Sequence, residues 1–243
     1  MPFQFEQGEI LLVNKPLTWT SFDVVGKMRS IIRQRTGLRK IKIGHAGTLD
    51  PLASGLLILC TGKFTKRIDE FQGLEKEYYG TFRLGATTPS FDLETAVDKT
   101  YPLIALTACD TLTGYAMIQE AAKHFVTTFD QVPPQFSAIK VDGKRAYKSA
   151  RQDINVEIKA RQVTISAFEI TRIELPDVDF RVICSKGTYI RSLARDFGLF
   201  LGFGAHLTAL CRTRIGSFHL RDAYELADLQ NLIPNIHDDI QKQ

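Results

Sequence analysis

Two stretches in which apolar and polar residues alternate, Val156 to Leu175 and Val178 to Cys184, meet at Pro176-Asp177. A period of two turns one face of a strand inward, and a Pro-Asp junction punctuates the chain, so two connected strands are expected here. The rest of the apolar pattern limits what can surround them. Glu9 to Asn14, Leu56 to Thr61 and Tyr78 to Leu84 read as further strands, the second buried, the third ending at Gly85. Phe22, Val25, Met28 and Ile32 recur at helical spacing, which predicts an amphipathic helix over Ser21 to Arg35 with Ser21 as its cap. Thr65 to Phe71, Thr111 to Phe125, Thr188 to Phe200 and Glu225 to Leu232 read as helices, and Gly37 to Lys42 as a basic loop. Single helices interrupting strand runs, without a strand-helix-strand rhythm, predict an α+β fold on a mostly antiparallel sheet. With 243 residues, 44% of them hydrophobic, the chain can enclose one large core or two small ones.

Several function classes are disfavoured at once. No apolar run approaches the roughly 18 residues of a membrane span, and Met1-Pro2-Phe3-Gln4 lacks the basic opening of an export signal. A cytoplasmic protein is expected. Cys60, Cys109, Cys184 and Cys211 are far apart with no Cys-x-x-Cys pair, which predicts reduced, mostly buried thiols and neither zinc site nor disulfide framework. No Walker loop and no Gly-x-Gly-x-x-Gly stretch is present, so no nucleotide, redox cofactor or metal is expected.

Gly44-His45-Ala46-Gly47-Thr48-Leu49-Asp50-Pro51 places one carboxylate at the end of a glycine-hinged loop, inside the most basic part of the chain. From Asn14 to Arg67 there are eleven Lys and Arg against only Asp23 and Asp50, a local +9. Positive surroundings favour the ionised carboxylate, which suits Asp50 to act as nucleophile or base rather than as proton donor. A structural reading stands beside this one. Asp at an N-cap followed by Pro at the first helical position starts many helices, although the apolar run from Leu56 leaves room for only about one turn at Pro51. Residues 140 to 161 carry a further +4 and residues 181 to 214 a further +5, so the remainder of the chain is at −14 against the overall +4. Three basic segments can be solvated faces, or together one phosphate-binding surface whose affinity falls steeply with salt.

The run His45-Ala46-Gly47-Thr48-Leu49-Asp50-Pro51-Leu52-Ala53-Ser54-Gly55 resembles the catalytic motif of TruB-type tRNA pseudouridine synthases. Four further segments match that family in order. They are Gly8 to Ser21 with Lys15-Pro16, Lys76-Glu77-Tyr78 followed by Leu84-Gly85, Gln131 to Lys140 continuing through Gly143, Tyr147, Ala150 and Arg151, and Cys184 to Leu193. Leu207 to Phe218 forms a weaker tail. The resemblance thus spans nearly the whole chain and implies the pseudouridine synthase fold, a twisted mixed sheet flanked by helices with a catalytic cleft across it.

By that resemblance Asp50 is the essential residue in breaking and re-forming the glycosidic bond of a uridine, a redox-neutral isomerisation that needs no cofactor. Tyr78 would stack on the target base near C5, and Arg191 would pair with Asp50 and orient it. Tyr189 and Leu210 would contribute a polar and an apolar contact to the same site, and Lys15 would be a substrate contact of the Lys-Pro turn. The resemblance makes the substrate the uridine at position 55 in the T-loop of tRNA, extruded from its stack, with His45 occupying the space left behind. It implies tRNA through its T-arm as the partner, no membrane, no obligatory protein partner and a monomer. An RNA-folding helper, for which Asp50 would be dispensable, is a second reading, and a guide-dependent RNA modifier working in a complex is a third. Many members carry a carboxy-terminal RNA-binding domain of the PUA type. Here a single catalytic domain over residues 1–243 is expected, without that domain and with an acidic helical tail from about residue 222, where Asp222, Glu225, Asp228, Asp238 and Asp239 face Arg221 and Lys242. Thr95 stands where the family often has glycine in its Thr/Asp-rich loop, and Cys211 where an arginine is frequent.

Overall fold

The computed structural model describes residues 3–104, 106, 111–137, 139–141, 143–152, 154 and 156–235. Cys109 and the tail residues Asp238, Asp239 and Lys242 lie outside them. In chain order the elements are β1 (Ile10–Lys15), α1 (Ser21–Thr36), β2 (Ile43–Ala46), β3 (Ser54–Thr61), α2 (Ile68–Gly73), β4 (Lys76–Leu84), β5 (Ala86–Thr87), β6 (Lys99–Thr100), α3 (Thr111–His124), β7 (Thr128–Gln131), β8 (Lys140–Val141), β9 (Lys144–Arg145), α4 (Ala146–Ala150), β10 (Arg161–Glu174), β11 (Asp177–Cys184), α5 (Ile190–Leu201), β12 (Ala205–Ile215), β13 (Phe218–His219) and α6 (Leu226–Leu232). Short 3-10 turns occupy Gly62–Arg67 and Leu220–Asp222. No helix among the described residues is long and apolar enough to cross a membrane. The architecture is α+β with mixed strand pairing, antiparallel everywhere except between β3 and β12 among the described registers. Two compact units divide the chain, Met1–Glu77 with Cys211–Gln243, and Tyr78–Leu210, so that β4 and β12 each contribute to both.

The first unit is organised on β3. Its neighbours are β1, antiparallel with Val13 opposite Leu57, β2, antiparallel with Ala46 opposite Ile58, and β12, parallel with Arg212 opposite Gly55. The unbroken apolar run from Leu56 to Cys60 follows from burial of both faces, since successive side chains point to opposite sides. Leu57 and Leu59 join Leu11, Val13 and the α1 residues Val24, Val25, Met28, Ile31 and Ile32 in one cluster. Leu56, Ile58 and Cys60 join Ala46, Phe71 and Ile215 in another.

The start of α1 differs from expectation by one residue. Thr20 is the cap: its hydroxyl accepts from the Asp23 amide, and the Asp23 carboxylate accepts from the Thr20 amide, a reciprocal capping box. Ser21 is the first helical residue and is buried, its hydroxyl turned instead to Leu49. The helix closes on Gly37 in the left-handed region, at φ 72°. Nor does Asp50 cap a helix. Pro51 and Leu52 form a turn, closed by the Ala53 amide donating to the Asp50 carbonyl at 3.0 Å, and β3 begins directly afterwards.

In the second unit the strand order is β4-β11-β10-β7, with the first residues of β12 beside β4. The β10–β11 hairpin turns at Pro176, with Glu174 opposite Asp177. The expected strand from Val156 begins only at Arg161, because the Gln135 side-chain amide takes both backbone groups of Val156 in place of a strand neighbour. Phe82 of β4 lies 4.1 Å from Phe180, 5.5 Å from Phe197 and 6.2 Å from Phe168 between ring centroids, and forms the middle of the core. An 11-residue β12 went unpredicted, since Thr208, Arg212, Thr213 and Arg214 interrupt its apolar alternation.

Lys15 ends β1 with no exposed surface. Its ammonium donates to the carbonyls of Pro16 (2.9 Å) and Trp19 (2.6 Å), closing the turn that leads into α1. Burial lowers its pKa to about 8, with Asp50 opposing the shift and Arg212 adding to it.

Removing the central ring, Phe82→Ala, should destabilise the protein by about 3–5 kcal/mol in urea unfolding, through lost transfer energy and the cavity left. The ε-methylene of Lys15 should titrate near 8 by carbon NMR instead of near the 10.5 of an ordinary lysine. Its folded pKa lies below the unfolded one, so the native state binds fewer protons between these values. Stability linked to this group therefore rises with pH from about 8 to 10.5, and Lys15→Met should abolish that rise.

Candidate active site

The loop from Gly47 to Ala53 connects β2 to β3, and one side chain holds both its first residue and the strand that follows it. Arg212 is 1% exposed. Its Nε donates to the carbonyl of Leu56 at 2.8 Å and its Nη2 to that of Gly47 at 3.1 Å. The backbone of β12 comes so close at Gly55, φ 103°, that a Cβ there would lie 2.4 Å from the Arg212 carbonyl oxygen, so only glycine fits. The middle of the loop is fixed from the other direction. The Ser21 hydroxyl accepts from the Leu49 amide (2.9 Å) and donates to the Leu49 carbonyl (3.3 Å). The Thr18 amide donates to the Pro51 carbonyl at 2.8 Å. Thr18 itself has φ 71°, a left-handed conformation uncommon for a threonine. Asp50 is half-buried, with the residues on both sides of it anchored.

This places Lys15 differently from expectation. It was expected to contact substrate, yet its buried ammonium is taken by Pro16 and Trp19. Its part is to hold the turn from which Thr18 and Ser21 reach the Asp50 loop. His45 lies on β2 opposite Leu59. Burial and the charge of Arg212 keep its pKa below the usual histidine value, against an opposing effect of the Gly47 backbone. It is therefore neutral at pH 7. Among the described residues its Nδ1 is buried without a well-formed hydrogen bond, the Gly47 interaction falling short of that geometry. Phe22, at the start of α1, packs edge-on to the His45 ring at 5.3 Å.

The second unit carries Tyr78, Tyr189, Arg191 and Leu210. Tyr78 is on the buried face of β4 with Phe82 and Leu84. Tyr189 is the residue before α5, and its backbone is gripped by one side chain: its amide donates to Gln131 Oε1 at 2.8 Å, and Gln131 Nε2 donates to its carbonyl at 3.2 Å. The Arg161 guanidinium sits 4.5 Å from the Tyr189 ring centroid. Arg191, buried, donates to the carbonyls of Ser90 (3.2 Å) and Phe136 (2.8 Å), and its Nε lies 3.6 Å from the Asp92 carboxylate. Thr95, the departure from glycine, is absorbed locally, since its hydroxyl accepts from the Ser90 amide and shares a hydrogen with the Ser90 hydroxyl. Leu210 is half-buried within strand β12 and not at a helix end.

Ser21 as an anchor, Arg212, Gln131 and Asp92 were not expected from the sequence. Of these, Asp92 lay in a stretch already noted as Thr/Asp-rich, and Arg212 beside the departure at Cys211. Gln131 opened a matched segment without having been given a role. The first unit offers an acid on a loop anchored at Gly47, Leu49 and Pro51 and a neutral imidazole on the strand before that loop; the second offers, by itself, a buried arginine and two tyrosines held on a strand and at a helix start. Among the described residues no group of three or more His, Cys, Asp or Glu side chains is arranged to hold a metal ion.

Residues 33–190 match the TruB family pseudouridylate synthase (N terminal domain), and residues 191–242 match the tRNA pseudouridylate synthase B C-terminal domain. The chain is 53% identical over 226 residues to tRNA pseudouridine synthase B of Flavobacterium johnsoniae, covering 93% of this chain and 96% of that one. It is 54% identical over 225 residues to the protein of the same name from Bacteroides thetaiotaomicron, covering 91% of each. Among solved structures, a Cbf5-Nop10-Gar1 complex aligns at a TM-score of 0.66 with 29% identity, over 93% of this chain and 54% of that chain. An H/ACA RNP bound to a substrate RNA containing 2'-deoxyuridine aligns at 0.62 with 27% identity, over 93% and 53%. The chain spans about half the length of those two. The matched domains run without a gap from residue 33 to residue 242, and the relatives are more than half identical along nearly their whole length: the chain belongs to the TruB family of pseudouridylate synthases.

Proposed function

We propose that this tRNA pseudouridine synthase acts, alone and as a monomer, on the uridine at position 55 in the T-loop, with residues 1–243 serving as one catalytic domain. The observation that carries the reading is the Asp50 loop: Arg212, Ser21 and Thr18 anchor the residues on both sides of a single carboxylate. Such a carboxylate can be aimed at a sugar without reorganising, which is where positioned groups gain most over solution.

The reaction breaks the N1–C1′ bond, turns the uracil, joins C5 to C1′ and finally moves the C5 proton to solvent or a base. Asp50 starts it either by attacking C1′ or by taking a sugar proton before the base leaves. Tyr78, a buried phenol, stacks on the uracil and assists the last proton transfer. Arg191 is the cation that balances the reacting carboxylate, its own position set by Ser90, Phe136 and Asp92. Tyr189 and Leu210 line the base. A stacked uridine reaches none of these groups, so it is extruded, and His45 fills its place. A neutral, partly apolar imidazole packed on Phe22 suits an RNA stack.

Release of tritium from C5-labelled uridine in tRNA, by the protein alone, tests the whole reading. The wild type should release it, and Asp50→Asn should lower the rate roughly a thousandfold or more while still binding tRNA. Full release by Asp50→Asn would remove the proposed nucleophile or base, and no release by wild type with intact binding would favour an RNA-folding role. His45→Ala should raise the tRNA dissociation constant about tenfold, the size expected for loss of one stacking contact, and leave the single-turnover rate at saturating RNA much less changed. An equal fall in that rate would overturn the role given to His45.

A further inference from the structure

Helix α1 buries one side in the core, and its opposite side carries a pattern that packing does not require. Phe22, Gly26, Arg29 and Arg33 follow one another at spacings of four, three and four, which aligns them along a single outward stripe. All four are exposed, Phe22 at 64%. A solvated helix face accounts for arginines, but not for a large aromatic at its head. Phe22 does contact His45, edge-on. Gly26 is the second oddity. A glycine inside a helix costs about 1 kcal/mol against alanine, and here a Cβ would meet nothing within 4 Å. No neighbour in the first unit demands the missing side chain. It leaves bare backbone between the ring and the two guanidinium groups.

Charge selects the occupant. On α1 the cations are Lys27, Arg29, Arg33 and Arg35, and the single anion, Asp23, is held in the capping box. Arg35 is engaged, donating to the Gln230 carbonyl. Among the described residues Arg29 and Arg33 make no ion pair.

We propose that the Phe22–Gly26–Arg29–Arg33 stripe is an RNA-docking track, separate from the residues that perform the isomerisation. An unpaired base stacks on Phe22 next to His45, the strand passes closely over Gly26, and Arg29 and Arg33 take its phosphates. Arranged in this way, the stripe runs about 16 Å along the helix axis, at 1.5 Å per residue. It deepens the tRNA reading and rests on it: the same molecule whose uridine enters beside His45 continues along α1. Stacking on an aromatic tolerates any base, so the track contributes affinity and register, not sequence choice.

Three variants test it with the full chain and unmodified tRNA, by binding across a salt series and by thermal melting. Phe22→Ala should raise the dissociation constant about tenfold without altering the slope of log affinity against log salt, because no charge is lost. The double variant Arg29→Gln, Arg33→Gln should reduce that slope by about two, one for each phosphate contact. Gly26→Gln places a good helix former on the track. It should melt no lower than wild type yet bind tRNA several-fold more weakly, which separates docking from folding. If all three bind within twofold of wild type with an unchanged slope, the track is overturned. Tritium release by the wild type separates this from the catalytic reading: a wild type that binds tRNA through the stripe but releases no tritium keeps the track and loses the isomerase assignment.

Discussion

A guanidinium in a protein interior must find acceptors for its donors or destabilise the fold, and Arg212 finds two of them on either side of the Asp50 loop, at Gly47 and in β3 at Leu56. Much of the first unit depends on that arrangement. Of the carbonyls it binds, Gly47 opens the loop and Leu56 lies in β3 just after it, so Arg212 ties the start of the loop to the strand it leads into, while Ser21 and Thr18 hold its middle. Arg212 itself can be buried because β12 runs parallel to β3 at Gly55, where the absence of a Cβ lets the two backbones touch. The charge has effects at a distance too, adding to burial, the larger cause, in lowering the pKa of both His45 and Lys15. One residue thus shapes the loop's backbone and the protonation of its neighbours.

The second unit reaches the same end by different chemistry. Residues 131–137 run past the start of α5 and supply acceptors and donors to it: Gln131 brackets the Tyr189 backbone, the Val132 carbonyl accepts from Ser192 at 2.8 Å, and the Phe136 carbonyl accepts from Arg191. A helix start has orphan amides and a free choice of entry angle, and no side-chain cap closes this one. The neighbouring segment does that work instead. Tyr189 and Arg191 sit within the clamped stretch, Tyr189 through its backbone on the Gln131 side-chain amide and Arg191 through its guanidinium on backbone carbonyls.

These clamps also explain which parts could be read from the sequence. The β10–β11 hairpin and the Val25, Met28 and Ile32 part of the core face of α1 were legible because their apolar residues repeat at the period of the element they form, whereas Phe22, expected on that face, is exposed. Strand β12 was not, since the arginine that makes it useful breaks its alternation, and burial of Arg212 depends on carbonyls more than 150 positions away. The cap of α1 was misplaced by one residue for a related reason: Thr20 and Ser21 are both good caps, and Ser21 is withdrawn from that task by its bonds to Leu49. Asp50 and Pro51 look like a helix start locally, yet the demand of β3 for its place opposite β1 ends the turn after Ala53. The functional motifs stood out by resemblance, whereas the anchors behind them are single residues whose meaning comes only from the fold.

Placing Lys15, His45 and Arg212 around one loop could have accumulated three positive charges beside Asp50, and the fold prevents this in a graded way. The guanidinium of Arg212 is held by carbonyls. Lys15, at about 8, keeps its proton at neutral pH and shares it with two more carbonyls. His45 gives its charge up, through burial and the arginine behind it. The two charges that remain are sunk in the protein, where they orient backbone, and the group closest to Phe22 is a neutral ring. A charged imidazole at that position would attract the nearest phosphate. A neutral one beside an exposed phenyl has its strongest available partner in a base face, so on the proposed track the Phe22–His45 end favours bases over backbone while the arginines of α1, farther along, favour backbone over bases.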